Sequence, residues 1–97
     1  MTVIEEIAAE RARQIAKEGW SEQHDDKHDP GELACAGAAY ALNAGCVLYP
    51  LNGTPLDAPP EFWMWQVEDW KPKDPRRDLI RAAALIVAEV EKMDRAK

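Results

Sequence analysis

Apolar positions recur at helical spacing in three stretches of the chain, and polar positions fall between them. Val3, Ile4, Ile7, Ala8 and Ile15 return at intervals of three and four, which predicts a helix with one apolar stripe and with Glu5, Glu6, Arg13 and Lys17 facing away from it. Thr2 followed by Glu5 is a capping box, and Glu18-Gly19 supplies a stop. A second helix is signalled by Asp29 as cap, Pro30 at the first helical position and Glu32 as the reciprocal capping residue. It runs to about Asn43 through Leu33-Ala34-Cys35-Ala36-Gly37-Ala38-Ala39, whose small side chains let another helix approach closely. The last helix opens at Asp74-Pro75. Leu79, Ile80, Ala83, Ile86, Val87, Val90 and Met93 form its main stripe, and Ala82, Leu85 and Ala88 add apolar surface beyond it.

Between Asn43 and Pro60 the chain holds Gly45, Pro50, Asn52-Gly53, Pro55 and Pro59-Pro60, which rule out a long regular element. Connections of this length in a small domain more often serve as lids or exposed arms than as neutral spacers. A short aromatic segment follows, Glu61 to Trp70, with Trp63, Trp65 and Trp70 within eight positions. The expected fold is all-α: one helical domain over residues 1–97, with three main helices, a long loop and the aromatic segment before the last helix. Because that helix is apolar over more than one face, three helices do not cover it. A homodimer that completes the bundle is therefore expected.

Composition narrows the classes. Ninety-seven residues with 46% hydrophobic and 31% charged content describe an ordinary globular protein, and no apolar run reaches the length of a bilayer crossing. The N-terminus does not resemble a secretory signal, which predicts a cytoplasmic protein. A net charge of −6 disfavours duplex nucleic acid as a partner. Cys35 and Cys46 lack the close pairing of zinc or redox motifs and read as small core residues.

Candidate chemistry gathers in three places. Glu10, Asp25, Asp26 and Glu32 lie where the first helix ends and the second begins, and offer oxygen ligands suited to Mg2+, with Mn2+ as the alternative. Arg11 and Gln14 fall on or beside the apolar stripe, and a buried guanidinium or amide needs partners, so both are candidate ligand contacts. His24 and His28 are four apart but precede Asp29-Pro30, which places them in a loop, where surface histidines are the plainer reading than a zinc pair. The second place is Lys71-Pro72-Lys73-Asp74-Pro75-Arg76-Arg77, where free amides at a helix start and a basic cluster suit phosphate, with Lys73, Arg76 and Arg77 as the grip. The third is the tryptophan cluster. Most of its rings belong in the core, while Trp63 or Trp70 is placed to stack a base, and Trp70 is the candidate ligand contact. No nucleophile with a partner base and no glycine-rich phosphate loop is present.

The strings Glu10-Arg11-Ala12-Arg13-Gln14, Gly19-Trp20, His24-Asp25-Asp26, Gly31-Glu32-Leu33, Trp70-Lys71-Pro72 and Arg77-Asp78-Leu79-Ile80 together resemble a group of small phage and prophage proteins. More distantly, the opening E-R-x-R-Q and the closing helix resemble MazG-like proteins, all-α nucleoside triphosphate pyrophosphohydrolases. That resemblance implies a helical, usually dimeric assembly in which helix carboxylates hold magnesium and pyrophosphate is released from a nucleotide. The E-E-x-x-E helix of that pattern is not met, since Glu5-Glu6 is followed by Glu10 one position too late, whereas Glu91-Lys92-Met93-Asp94 matches the E-x-x-D helix in form. The expected function is binding of a nucleotide or other phosphorylated small molecule, with hydrolysis of a nucleoside triphosphate as its enzymatic form. The alternative is a non-catalytic phage binder that sequesters a nucleotide signal or blocks a host defence protein, and a third reading is a protein-interaction module that presents residues 43–60 as an arm.

Overall fold

The computed structural model describes residues 1–19, 22–49 and 53–96. Four helices make up its regular structure: α1 (Val3–Glu18), α2 (Glu22–Asp26), α3 (Glu32–Leu48) and α4 (Pro75–Arg95). A single 3-10 turn, Val67–Asp69, interrupts the aromatic segment, and no strand occurs among the described residues. The all-α expectation holds. None of these helices is long and apolar enough to cross a membrane.

Local signals set most of the helix ends. The Thr2 hydroxyl accepts from the Glu5 amide at 3.1 Å while the Glu5 carboxylate accepts from the Thr2 amide at 2.9 Å, which closes the expected capping box. Gly19 ends α1 in the left-handed region, φ 73°, where a side chain would be strained. Asp74 caps α4 by accepting from the Arg77 amide at 2.9 Å, with Pro75 at the first helical position.

Two boundaries of α3 differ from expectation. It starts at Glu32 rather than Pro30, because Gly31 takes φ 93°, a conformation through which no right-handed helix continues. It then runs past Asn43 to Leu48. Asn43, which reads as a stop, is instead buried: its amide donates to Asp78 at 3.3 Å and its carbonyl accepts from the Leu56 amide at 2.7 Å. The connection to the aromatic segment therefore begins at Tyr49, and its residues 50–52 lie outside the described ones, as do Trp20 and Ser21. Cys46 lies inside α3, and both cysteines are free and half-buried rather than core.

The core is the α3–α4 pair, in which Leu33, Ala36, Ala39 and Tyr40 meet Ala82, Leu85 and Ala88, with Trp63 on top and Trp65 and Trp70 packed against it. Gly37 makes the close approach possible. A Cβ there would stand 2.9 Å from the Ala82 carbonyl oxygen. The free amide of Ala34 in the first turn of α3 is satisfied across the pair by buried Glu89 at 3.0 Å.

Both apolar stripes face elsewhere than the sequence pattern implies. On α1, Val3, Ile4, Ala8 and Ile15 are exposed and Ile7 is half-buried, while Glu10, Arg11 and Gln14 are buried. The inward face is polar because each of its charges meets an opposite one on arrival: Glu6 meets Arg76, Glu10 meets Arg77, and Arg11 meets both Asp25 and Glu91. On α4 the buried face is Asp78, Arg81, Ala82, Leu85, Ala88 and Glu89, flanked by Ile80 and Ala84. Leu79, Ile86, Val87, Val90 and Met93 stay exposed. Ala82 and Ala88 take inward positions in the α3–α4 core, where small side chains let the two backbones close to this distance.

Candidate functional site

A cavity of about 870 Å3 opens between the helices and the aromatic segment. Every part of the fold contributes to its wall: Arg13 and Glu18 from α1, His24 from α2, His28 from the turn after it, and Tyr40 from α3. Met64, Trp65, Gln66 and Asp69 come from the aromatic segment, Lys71, Lys73 and Asp74 from the loop after it, and Arg77 and Arg81 from α4. Five permanent cations thus face three carboxylates in a protein whose net charge is −6, so the cavity has the opposite sign to the molecule.

Glu10 lies behind the cationic wall. Its side chain is almost wholly buried; its two oxygens accept from Arg13 at 2.9 and 2.8 Å and from the Gln14 amide at 3.1 Å, and one of them lies 2.6 Å from Arg77 Nη2 in an ion pair. Burial by itself pushes this carboxyl up, but the Arg13 hydrogen bonds, the charges of Arg13 and Arg77 and the Gln14 amide outweigh it and hold Glu10 below the usual carboxylate range. Arg13 is raised in return, chiefly by the Glu10 hydrogen bonds. Two guanidiniums on different helices are thereby fixed at the cavity's edge.

The aromatic wall is anchored by Glu32. One of its oxygens accepts from the Trp65 indole at 3.0 Å and lies 3.3 Å from His28 Nδ1, and the other accepts from the Asp29 amide at 2.6 Å. The Asp29 amide leads in holding this carboxyl below its ordinary value; partial burial opposes, and the Trp65 and His28 contacts add to the lowering. His28 lies against Trp65 at 5.1 Å between ring centroids and edge-on to His24 at 4.7 Å. At the far end Tyr40 stacks on Trp70 at 4.9 Å, and its hydroxyl accepts from the Lys71 amide at 3.2 Å. The first residues of the basic loop are thus pinned to the core.

Of the ligand contacts expected from sequence, Lys73 and Arg77 line this cavity. Arg11 and Gln14 are buried behind it, Arg11 bonded to Asp25 at 2.7 Å and to Glu91 at 3.1 Å. Arg76 lies outside the cavity wall in a two-pronged pair with Glu6, and Trp70 is packed against the core under Tyr40. The four expected metal carboxylates have separate partners: Glu10 as above, Asp25 with Arg11, Asp26 with Arg95 at 2.7 Å, and Glu32 with Trp65, His28 and Asp29. Among the described residues no group of three or more His, Cys, Asp or Glu side chains is placed to hold a metal ion.

Sequence reading did not single out Arg13, Tyr40 or Trp65, took His28 as a surface histidine, and placed Arg81 only at the end of a basic stretch from Lys71 able to hold a few phosphates. Arg81 carried the clearest signal, as the one charge within the otherwise apolar run from Leu79 to Ala88. No protein-family model, curated protein or solved structure matches the chain.

Proposed function

We propose that the protein binds a nucleotide or a closely related phosphorylated small molecule in the cavity between the aromatic segment and the basic loop. The observation that carries this reading is the joining, in one concave site, of a flat aromatic wall at Trp65 with the cations Lys71, Lys73, Arg77 and Arg81. Nucleotides combine a stacking surface with a polyanion, and a volume of this size accommodates one. Magnesium, or manganese in its place, enters with the ligand's phosphates, since Glu10, Asp25, Asp26 and Glu32 are each engaged elsewhere. That engagement favours sequestration over turnover, and with it the non-catalytic form of a phage-type binder distantly similar to the MazG-like enzymes. The acting unit is a homodimer that covers the exposed apolar stripe of α4.

The test is a thermal-shift series with the common ribo- and deoxyribonucleoside triphosphates and cyclic nucleotides, with and without Mg2+ or Mn2+. At least one is expected to raise the melting temperature, because a ligand that prefers the folded state stabilises it. No shift across the panel overturns the reading. Pyrophosphate release from the bound triphosphate separates turnover from sequestration.

A further inference from the structure

The cations of the cavity are not equivalent. Arg13 is held by Glu10 and Glu18, and Arg77 by Glu10. Arg81 is only 7% exposed, lines the cavity, and among the described residues has no carboxylate within ion-pair distance. Its Nη1 donates to the Lys71 carbonyl at 2.6 Å, its guanidinium lies 4.9 Å above the Tyr40 ring, and its Nε, shut off from solvent, has no hydrogen-bond partner. A guanidinium carries five donors and a permanent charge, and burying it without an anion leaves both underused. Tyr40 fixes the arrangement from two sides, because its ring supports the guanidinium and its hydroxyl holds the Lys71 amide. The same loop sets Lys71 and Lys73 on the cavity wall, and neither ammonium forms an ion pair among the described residues.

We infer that Arg81, flanked by Lys71 and Lys73, is the anion-receiving end of the cavity and takes the terminal phosphates of a polyphosphate ligand, while the ligand's flat group lies toward Trp65. This rests on the nucleotide reading of the cavity and adds the ligand's direction and the residue that supplies its missing counter-charge. Arg81 then acts as a fork for phosphate oxygens, a geometry that lysine does not reproduce.

Titration calorimetry with AMP, ADP and ATP tests it. In the wild type each added phosphate tightens binding, and ATP binds at least tenfold more tightly than AMP. Arg81→Gln flattens that gradient to within about threefold, Arg81→Lys restores part of it, and Arg76→Gln, outside the cavity, leaves it unchanged. If Arg81→Gln fails to fold by circular dichroism, the exposed pair Lys71→Ala and Lys73→Ala together decides, with the same flattening expected. A purely structural Arg81 weakens all three nucleotides by the same factor and keeps the gradient, and that result, or no change at all, overturns the inference while leaving the cavity reading intact. Wild-type protein that binds no nucleoside mono-, di- or triphosphate of the wider panel, and no inorganic tripolyphosphate, overturns both.

Discussion

At the scale of single residues, Glu10 shows how a buried charge organises a site that it does not itself enter. Its carboxylate joins Arg13 and Arg77, so replacing it with an uncharged amide leaves two guanidiniums facing each other around a neutral group. Glu10→Gln is expected to destabilise the protein by about 2–4 kcal/mol in urea denaturation, the range for removing one member of a buried ion pair whose partners can partly rehydrate. The sign with pH follows from the lowered folded value. Below the ordinary carboxyl value of 4.5 the unfolded chain takes up the proton first, so the stabilisation is fully present above that pH and is lost as pH falls through the folded value. Melting temperature plotted from pH 7 to pH 3 is expected to fall less steeply in Glu10→Gln than in the wild type, and equal slopes would show that Glu10 is not the group responsible.

The same residues explain what could be read in advance. Lys73 and Arg77, which line the cavity, were legible as candidates because they belong to one basic run at a helix start. Arg13 was not, since on α1 alone it faces away from the apolar stripe, and only the docking of α4 turns that side into a cavity wall. Nor did the sequence distinguish Trp65, which lines the cavity as well as packing against the core, from Trp63 and Trp70, which do not line it. Its indole is set by one hydrogen bond to Glu32, 33 residues away.

At the scale of the elements, ends were more legible than faces. Caps are chemical events within four residues, so Thr2 with Glu5, Gly19, and Asp74 with Pro75 act as their local chemistry dictates. Faces depend on partners remote in sequence, which is why α1 turns Glu10, Arg11 and Gln14 inward and leaves Val3 and Ile4 in solvent. The two glycines of α3 test the packing side of this argument directly. Gly37→Ala improves helix propensity but drives a Cβ to 2.9 Å from the Ala82 carbonyl, so the overpacking term wins and a net loss of about 1 kcal/mol is expected. At Gly45 a Cβ meets nothing within 4 Å, and Gly45→Ala is expected to add roughly 0.5–1 kcal/mol. Chemical denaturation of both variants checks the pair. If Gly37→Ala is as stabilising as Gly45→Ala, the close α3–α4 approach is wrong.

At the scale of the whole molecule, the apolar surface that the fold leaves uncovered bears on assembly. Leu79, Ala83, Ile86, Val90 and Met93 are spaced four, three, four and three apart, the repeat by which two helices interlock as knobs into holes. All but Ala83 are exposed, Leu79 by 44%, Ile86 by 47%, Val90 by 50% and Met93 by 61%. Such a stripe is complementary to itself when two copies of α4 run antiparallel, with Leu79 of one copy near Val90 of its partner. A chain of 10.9 kDa buries a smaller fraction of its surface than a large domain does, and a second copy over this stripe would leave the cavity in place, since its α4 residues Arg77 and Arg81 are not part of the stripe. Light scattering coupled to size exclusion is therefore expected to give twice the chain mass for the wild type at micromolar concentration. Val90→Lys, which sets a charge in the middle of the seam, is expected to give a monomer with the helical circular dichroism retained and a melting temperature that no longer rises with protein concentration. A monomeric wild type at about 100 μM, far above the dissociation constants of specific interfaces, would leave the stripe without its second copy.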